Sequence, residues 1–200
     1  MENNPDLSRA EVIKLIALAN NNPLTLVGVN LGGLNLSGLY LKGADLQGAD
    51  LRGANLQGAN LQGANLLEVI FENTFFHGAN LENAVMLGVN LDGLILVNAN
   101  LKGANLGMVS LVQANLEGAN LTGADLSYAD LSIANLRASI LELAILKGAD
   151  LSFANLLESN LKYANLFGAD LTESNLEGAN LTGADLTGAD LTGVIGYNPQ

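Results

Sequence analysis

Residues 44–58 read Ala44-Asp-Leu-Gln-Gly-Ala-Asp-Leu-Arg-Gly-Ala-Asn-Leu-Gln-Gly58, one five-residue unit three times over. A fixed period dictates architecture. From Leu26 to Leu191 every fifth residue is Leu, with Phe71, Phe76 and Met86 as the exceptions. Two residues before it stands Ala in most units, or another small or β-branched residue such as Val69, Thr74, Ser139, Ser159 or Ser174. Asn or Asp usually sits between them, and Gly usually stands two residues after the Leu. No insertion or deletion breaks the register.

Residues two apart point the same way in extended chain, so the small residue and the Leu share a face while the Asn/Asp points away. Five is odd, so unbroken extended chain would reverse the pattern in alternate units. The pattern never reverses, and a turn must therefore intervene in each unit. Gly supplies the positive φ such a turn needs, and Asn or Asp can bond nearby backbone. A helix fits badly, because residues five apart drift around its whole circumference. The reading is a solenoid with Leu inside.

The unit Ala-(Asp/Asn)-Leu-x-Gly, as in Ala44-Asp-Leu-Gln-Gly and Ala124-Asp-Leu-Ser-Tyr, resembles the repeat of the pentapeptide-repeat family over residues 24–195. The resemblance implies an all-β, right-handed, parallel quadrilateral β-helix with four units per coil and the central Leu filling the axis. Coils stacked at about 4.8 Å would number about eight, a rod roughly 40 Å long. Residues 20 apart would then lie one above another. Val69, Val89 and Val109 fall in that register, as do Phe75 with Ile95 and Ile133 with Phe153. Glu82 with Lys102 and Glu142 with Lys162 would be favourable cross-strand pairs.

Solenoid ends need covering. Residues 1–23 are expected to hold a capping helix and linker. Ser8 and Glu11 read as a capping box, and Val12, Ile13, Ile16 and Ala19 form an apolar stripe widened by Leu15 and Leu18, which Asn20-Asn-Asn-Pro23 ends. Residues 24–195 form the β-helix, and 196–200 a tail. Val194, Ile195 and Tyr197 could fold over the last coil or meet the same end of a second chain, which leaves monomer and end-to-end homodimer both open.

Composition narrows the function. Apolar residues make up 49% of the chain but aromatics only 4%, and the formal net charge is −12. That sign argues against direct binding of nucleic acid, whose phosphates need Lys and Arg, and suits a basic partner surface. There is no Cys, and His77 is the only His, which removes the components of Ser-His, Cys-His and zinc-type sites. His77 reads as an exposed surface residue. No catalytic, cofactor-binding or metal-binding residues are assigned, and no cofactor is expected. The acidic polar start and the lack of a long apolar run point to a cytoplasmic protein without a membrane span.

Two outward features remain. Asp130, Asp150, Asp170 and Asp190 are each 20 apart and would stack as an acidic column, where other faces carry Asn as in Asn60, Asn80, Asn100 and Asn120. Repulsion along the column would be relieved by a basic partner; alternatively Asp replaces Asn in the same backbone hydrogen bond. Ile70, Phe75, Val85, Ile95 and Val97 occupy outward slots otherwise given to polar residues, followed by Ile133 with Phe153 and Leu143 with Tyr163. Such residues mark an interaction patch, unless they only stack on one another or lie beneath the N-terminal segment. The expected function is a non-enzymatic interaction or regulatory scaffold with a protein partner of unidentified kind. The alternative, implied by the family resemblance, is an acidic DNA mimic that binds a type II topoisomerase.

Overall fold

The computed structural model describes residues 5–20 and 22–197. Each five-residue unit folds as the spacing requires. The Ala104 N–H donates to the Leu101 carbonyl (3.0 Å), and Gly103 between them has φ +63°. A turn of this kind, with only its third residue left-handed, has the pattern of type II and recurs at each unit, so the chain turns a corner every five residues.

Parallel bridges join residues 20 apart, as in Asn60 to Asn80, Asn80 to Asn100 and Asn100 to Asn120. Four units therefore complete one coil. Three bonds per unit tie coils together. For the unit at Leu101 the Leu101 N–H donates to the Asn120 carbonyl (2.7 Å), the Gly103 N–H to the Thr122 carbonyl (2.9 Å), and the Asn100 N–H to the Ala79 carbonyl (2.9 Å). Leu and the small residue two before it point inward and are buried along the rod from Ala44 to Leu176. Facing alternately inward and outward, short extended segments bury one stripe and leave the other to solvent.

Outward Asn and Asp side chains brace the corners. The Oδ1 atom of Asn120 accepts from the Thr122 N–H (3.1 Å) and hydroxyl (2.7 Å), and the N–H bond recurs in most units, as from Gln57 to Asn55 and from Phe167 to Asn165. Asn side chains also link coils, as where Asn100 donates to Asn80 (3.0 Å) and Asn155 to Asn135 (3.2 Å).

The helix α1, Arg9–Ala19, lies over the first coil. Ser8 caps it, with Glu11 returning the bond to Ser8 N–H (2.7 Å). Val12 is fully buried, and Leu15 and Ile16 pack beside it. Ile13 and Leu18 instead face solvent, at 45% and 70% exposure. The helix meets the coil through the narrower stripe of positions 12, 15, 16 and 19, so the apolar face is slimmer than its sequence suggests. Polar bonds pin this lid: the Asp6 N–H donates to the Asn30 carbonyl (2.8 Å), the Asp6 carboxylate accepts the Asn30 N–H (2.7 Å), and Arg9 donates to the Asn35 and Ser37 carbonyls.

At the other end no such cover exists among the described residues. Leu181, Leu186 and Leu191, central residues of the last coil, are half-buried, Val194 and Tyr197 pack on the core, and Ile195 points to solvent.

One stretch departs from the coil-to-coil pattern. The N–H groups of Glu68, Phe71, Asn73, Asn90 and Ile95 lack the partners their equivalents have in neighbouring units. The coil carrying Phe71 remains bonded to the coil below, where Leu51 donates to Ile70 (2.9 Å) and Phe75 to Ala54 (3.0 Å). It has parted only from the coil above. The core beneath this stretch holds Phe71 and Phe76 in consecutive central positions, edge to face with centroids 5.1 Å apart. Two Phe rings exceed the space two Leu side chains take, and overfilled cores move backbone.

Candidate interaction surface

The parted coils leave an open groove of about 680 Å³, lined by Ile70, Phe75, Leu94 and Ile95 with Glu72, Asn73 and Asp92 at its edges. Ile70, Phe75 and Ile95 are 46%, 49% and 44% exposed. Phe75 bridges to Ile95 in the coil above, so the two stack along one face, while Ile70 belongs to the adjoining face. The structure therefore brings together three of the five residues of the sequence-level patch. Val97 is half-buried two residues beyond Ile95, and Val85 stands on another face between Asn65 and Asn105. The described part of the N-terminal segment reaches Asn30, Asn35 and Ser37 and leaves the groove uncovered.

These apolar residues forgo a bond that their slots otherwise supply. In the same column as Phe75, Asn55 accepts the Gln57 N–H (2.9 Å) and Asn115 the Glu117 N–H (3.1 Å). In the column of Ile70, Asp130 accepts the Ser132 N–H (3.0 Å). Hydrocarbon cannot accept, so Glu72, His77 and Val97 N–H groups lack this turn bond. The fold alone would be served better by Asn.

A second apolar group lies at the corners. Ile133 and Phe153 occupy the left-handed turn position, with φ +61° and +58°, and are 52% and 60% exposed. A β-branched residue there is an outlier, and the left-handed region disfavours non-Gly residues by about 1–2 kcal/mol. Leu143 and Tyr163 share the conformation on another corner. Tyr163 is engaged in packing: its ring covers Gly183, and Lys162 Nζ lies 4.9 Å from the ring centre. Tyr128 covers Gly148 in the same way, where an added Cβ would meet the ring at 2.7 Å. Part of the surface aromatic content thus shields glycine corners.

The Asp column is continuous: bridges run from Asp130 to Asp150 to Asp170 to Asp190. Each carboxylate is engaged in its own turn through Oδ1, with Asp170 accepting from Thr172 N–H (2.8 Å) and hydroxyl (2.5 Å), and Asp190 from Thr192 N–H (2.9 Å) and hydroxyl (2.6 Å). This is the bond Asn120 makes to Thr122. The Thr192 bonds hold Asp190 below the usual carboxylate range, hydroxyl first and N–H second, and Thr187 does the same to Asp185. The ion pairs among the described residues are Arg52–Asp50 (2.6 Å), Arg137–Glu117 (2.9 Å) and Arg137–Glu158 (3.2 Å). Glu82–Lys102 and Glu142–Lys162 do not close: Lys162 turns to Tyr163, and Glu142 accepts from Asn160 (3.4 Å).

No cluster of His, Cys, Asp or Glu among the described residues is arranged to hold a metal ion, and no helix there is long and apolar enough to cross a membrane. The sequence reading missed what Phe71 and Phe76 do. Its available signal was two aromatic residues in adjacent central positions otherwise given to Leu.

The family model "Pentapeptide repeats (8 copies)" matches residues 25–63, 49–86, 70–107, 99–137, 129–162 and 159–195. None of the curated proteins matches the sequence. Among solved structures, HetL, a pentapeptide repeat protein involved in heterocyst differentiation regulation from the cyanobacterium Nostoc sp. strain PCC 7120, is 34% identical. That match covers 96% of this chain and 100% of HetL, with a TM-score of 0.49. Rfr23, a pentapeptide repeat protein from the cyanobacterium Cyanothece 51142, is 39% identical over 56% of this chain and 86% of its own, with a TM-score of 0.44. A trypsin-treated form of QnrB1, a plasmid-mediated fluoroquinolone resistance protein, is 25% identical over 88% of this chain and 90% of its own, with a TM-score of 0.61. With its unbroken five-residue register closing a coil every 20 residues, and with the family model matching from residue 25 to residue 195, the chain belongs to the pentapeptide-repeat family and has that family's right-handed quadrilateral β-helix.

Proposed function

We propose that this protein is a non-enzymatic interaction protein, and that it binds a protein partner through the face bearing Ile70, Phe75 and Ile95. The observation that carries the reading is the exposure of these side chains in slots where Asn or Asp would have satisfied a turn N–H. Exposed contiguous apolar residues are characteristic of association sites, and although Ile140 and Ile145 are also exposed in equivalent slots, Ile70, Phe75 and Ile95 share one open groove. Ile133 and Phe153 extend the same logic, since they hold an unfavourable backbone conformation while burying little. In finer detail we place residues 24–195 in about eight coils, with residues 1–23 as lid and linker and 196–200 as a tail, in a cytoplasmic protein that takes no cofactor. For its oligomeric state we carry both a monomer and an end-to-end homodimer through the last coil.

A second reading, DNA mimicry toward a type II topoisomerase, draws on the Asp130–Asp190 column, the net charge of −12 and the likeness to a fluoroquinolone resistance protein. The engagement of each Oδ1 in its own turn weighs against it.

The test places a photo-crosslinking amino acid at position 75 or at position 150 in extracts of the source cell. A specific protein captured from 75, resistant to salt and absent with Ile95→Asp, supports the apolar face. Capture from 150 alone, lost with salt and with Asp130, Asp150, Asp170 and Asp190 changed to Asn, supports mimicry, and DNA gyrase supercoiling is then the activity to assay.

A further inference from the structure

We infer that the opening between the Ile70–Phe75 segment and the Asn90–Ile95 segment receives an extended peptide with an apolar anchor residue flanked by Lys or Arg. This rests on the reading that the face binds protein, and adds the chemistry of the partner.

The backbone supplies the first argument. On one lip the N–H groups of Phe71 and Asn73 have no partner, and on the other the carbonyls of Asn90 and Asp92 do not receive them. Each lip thus offers unpaired backbone groups to a space of about 680 Å³. An extended peptide presents N–H and C=O groups alternately and can meet both, as a strand added to an exposed sheet edge does. A helix has used its own backbone groups internally, and a compact apolar molecule would leave these lips unmet.

The side chains supply the anchor and the sign. Ile70, Phe75, Leu94 and Ile95 form an apolar floor, the surroundings that hold a single large aliphatic or aromatic side chain. Glu72 and Asp92 stand at the rim, and no Lys or Arg lines the groove. Asp92 is held in place, accepting from the Ser110 hydroxyl (2.5 Å) and the Val112 N–H (2.9 Å). Charge complementarity therefore selects basic residues on either side of the anchor and repels an acidic peptide.

The groove depends on Phe71 and Phe76, both buried in the core beneath it, with Phe71 reaching its inner wall and Phe76 lying outside its lining. The double substitution Phe71→Leu with Phe76→Leu returns both central positions to the residue used elsewhere. It should restore the missing bonds while leaving Ile70, Phe75 and Ile95 on the surface. Circular dichroism checks that the variant folds.

The experiment pans a random peptide library on phage against the full chain, then measures the leading peptide by fluorescence anisotropy. We expect enrichment of one apolar residue flanked by Lys or Arg. Affinity should fall at least tenfold with the double substitution, at least tenfold when alternate peptide amides are N-methylated, and beyond detection with Phe75→Asp. No enrichment, enrichment of acidic peptides, or equal affinity for the double variant would overturn the inference. A protein cross-linked from position 75 and equally by the double variant would leave the protein-binding reading standing and remove the peptide groove. No capture from position 75 would remove both.

Discussion

Phe71 and Phe76 pack edge to face in the core with their planes at 67°, immediately below the one stretch where five coil-to-coil N–H bonds are missing. Every other described coil boundary under the last coil keeps its full set. A β-helix spaces its coils by backbone bonding at about 4.8 Å, so a side chain too large for its layer must displace backbone or leave its rotamer. Here the displacement is local, limited to the face of Ile70 and the corners at Glu68 and Asn73 on either side of it, and it creates the groove beside Phe75 and Ile95.

If the apolar face serves binding and not folding, Ile70→Asn and Phe75→Asn should hardly affect stability. Each Asn gains the turn bond its column makes elsewhere, worth about 1 kcal/mol, against the loss of a half-buried apolar side chain of similar size. Urea unfolding is expected to change by less than about 1 kcal/mol, within the range of ordinary surface substitutions. A loss of several kcal/mol would mean these side chains hold the coils together.

Core hydroxyls give a separate test. Ser159 and Ser174 are buried with hydroxyls that have no partner, whereas Thr74 donates to the Leu51 carbonyl (2.7 Å). Ser159→Ala and Ser174→Ala should each stabilise the protein by about 1 kcal/mol, because an unmet buried polar group costs about 1–3 kcal/mol. Thr74→Ala should destabilise it by a similar amount or more, losing both a hydrogen bond and a methyl group from the core. The midpoints of urea unfolding measure all three.

Corner strain predicts opposite outcomes for two substitutions. Ile133→Gly should raise stability by about 1 kcal/mol, the left-handed penalty of Ile offset in part by the added freedom of Gly in the unfolded chain. Gly183→Ala should lower it by more than 1 kcal/mol, since its φ is +71° and the Tyr163 ring occupies the space of the new methyl group. Thermal unfolding of the two variants should move in opposite directions.

Acid should loosen the last coil by a definable route. Asp185 and Asp190 are held below the ordinary aspartate value of about 3.9 by bonds from Thr187 and Thr192. A depressed folded value means a stabilising contribution fully present above about 3.9 and lost only as pH falls through the lower folded value. Stability between pH 5 and 8 should therefore not depend on these two groups. The double variant with both changed to Asn should lose less stability than wild type between about pH 4 and 2, measured by urea unfolding. Equal acid sensitivity would show that the two turns do not contribute.

Much of this architecture was legible because the repeat is rigid in register. Leu every five residues with Gly two beyond gives inward facing and a corner, and the pairing of Phe75 with Ile95 followed from the 20-residue coil. The groove was not legible in the same way. Sequence placed Ile70, Phe75 and Ile95 outside, but joined them to Val85, which the coil puts on another face. The lapse in bonding depends on ring volume inside the core, a property of packing that a repeat pattern does not carry. Lys162 shows the same limit: stacking placed it over Glu142, yet its long side chain reaches the Tyr163 ring instead.

Amide hydrogen exchange on the full chain tests most directly whether the two core phenylalanines open the coil boundary. Amides of Phe71, Asn73, Asn90 and Ile95 should exchange orders of magnitude faster than their counterparts one coil on, Leu91, Gly93, Ser110 and Asn115, which are all bonded. The double substitution Phe71→Leu with Phe76→Leu should slow the first set to the rate of the second. Equal protection of the two sets in the wild-type protein would contradict the account, because the boundary would then be closed and the groove would not exist.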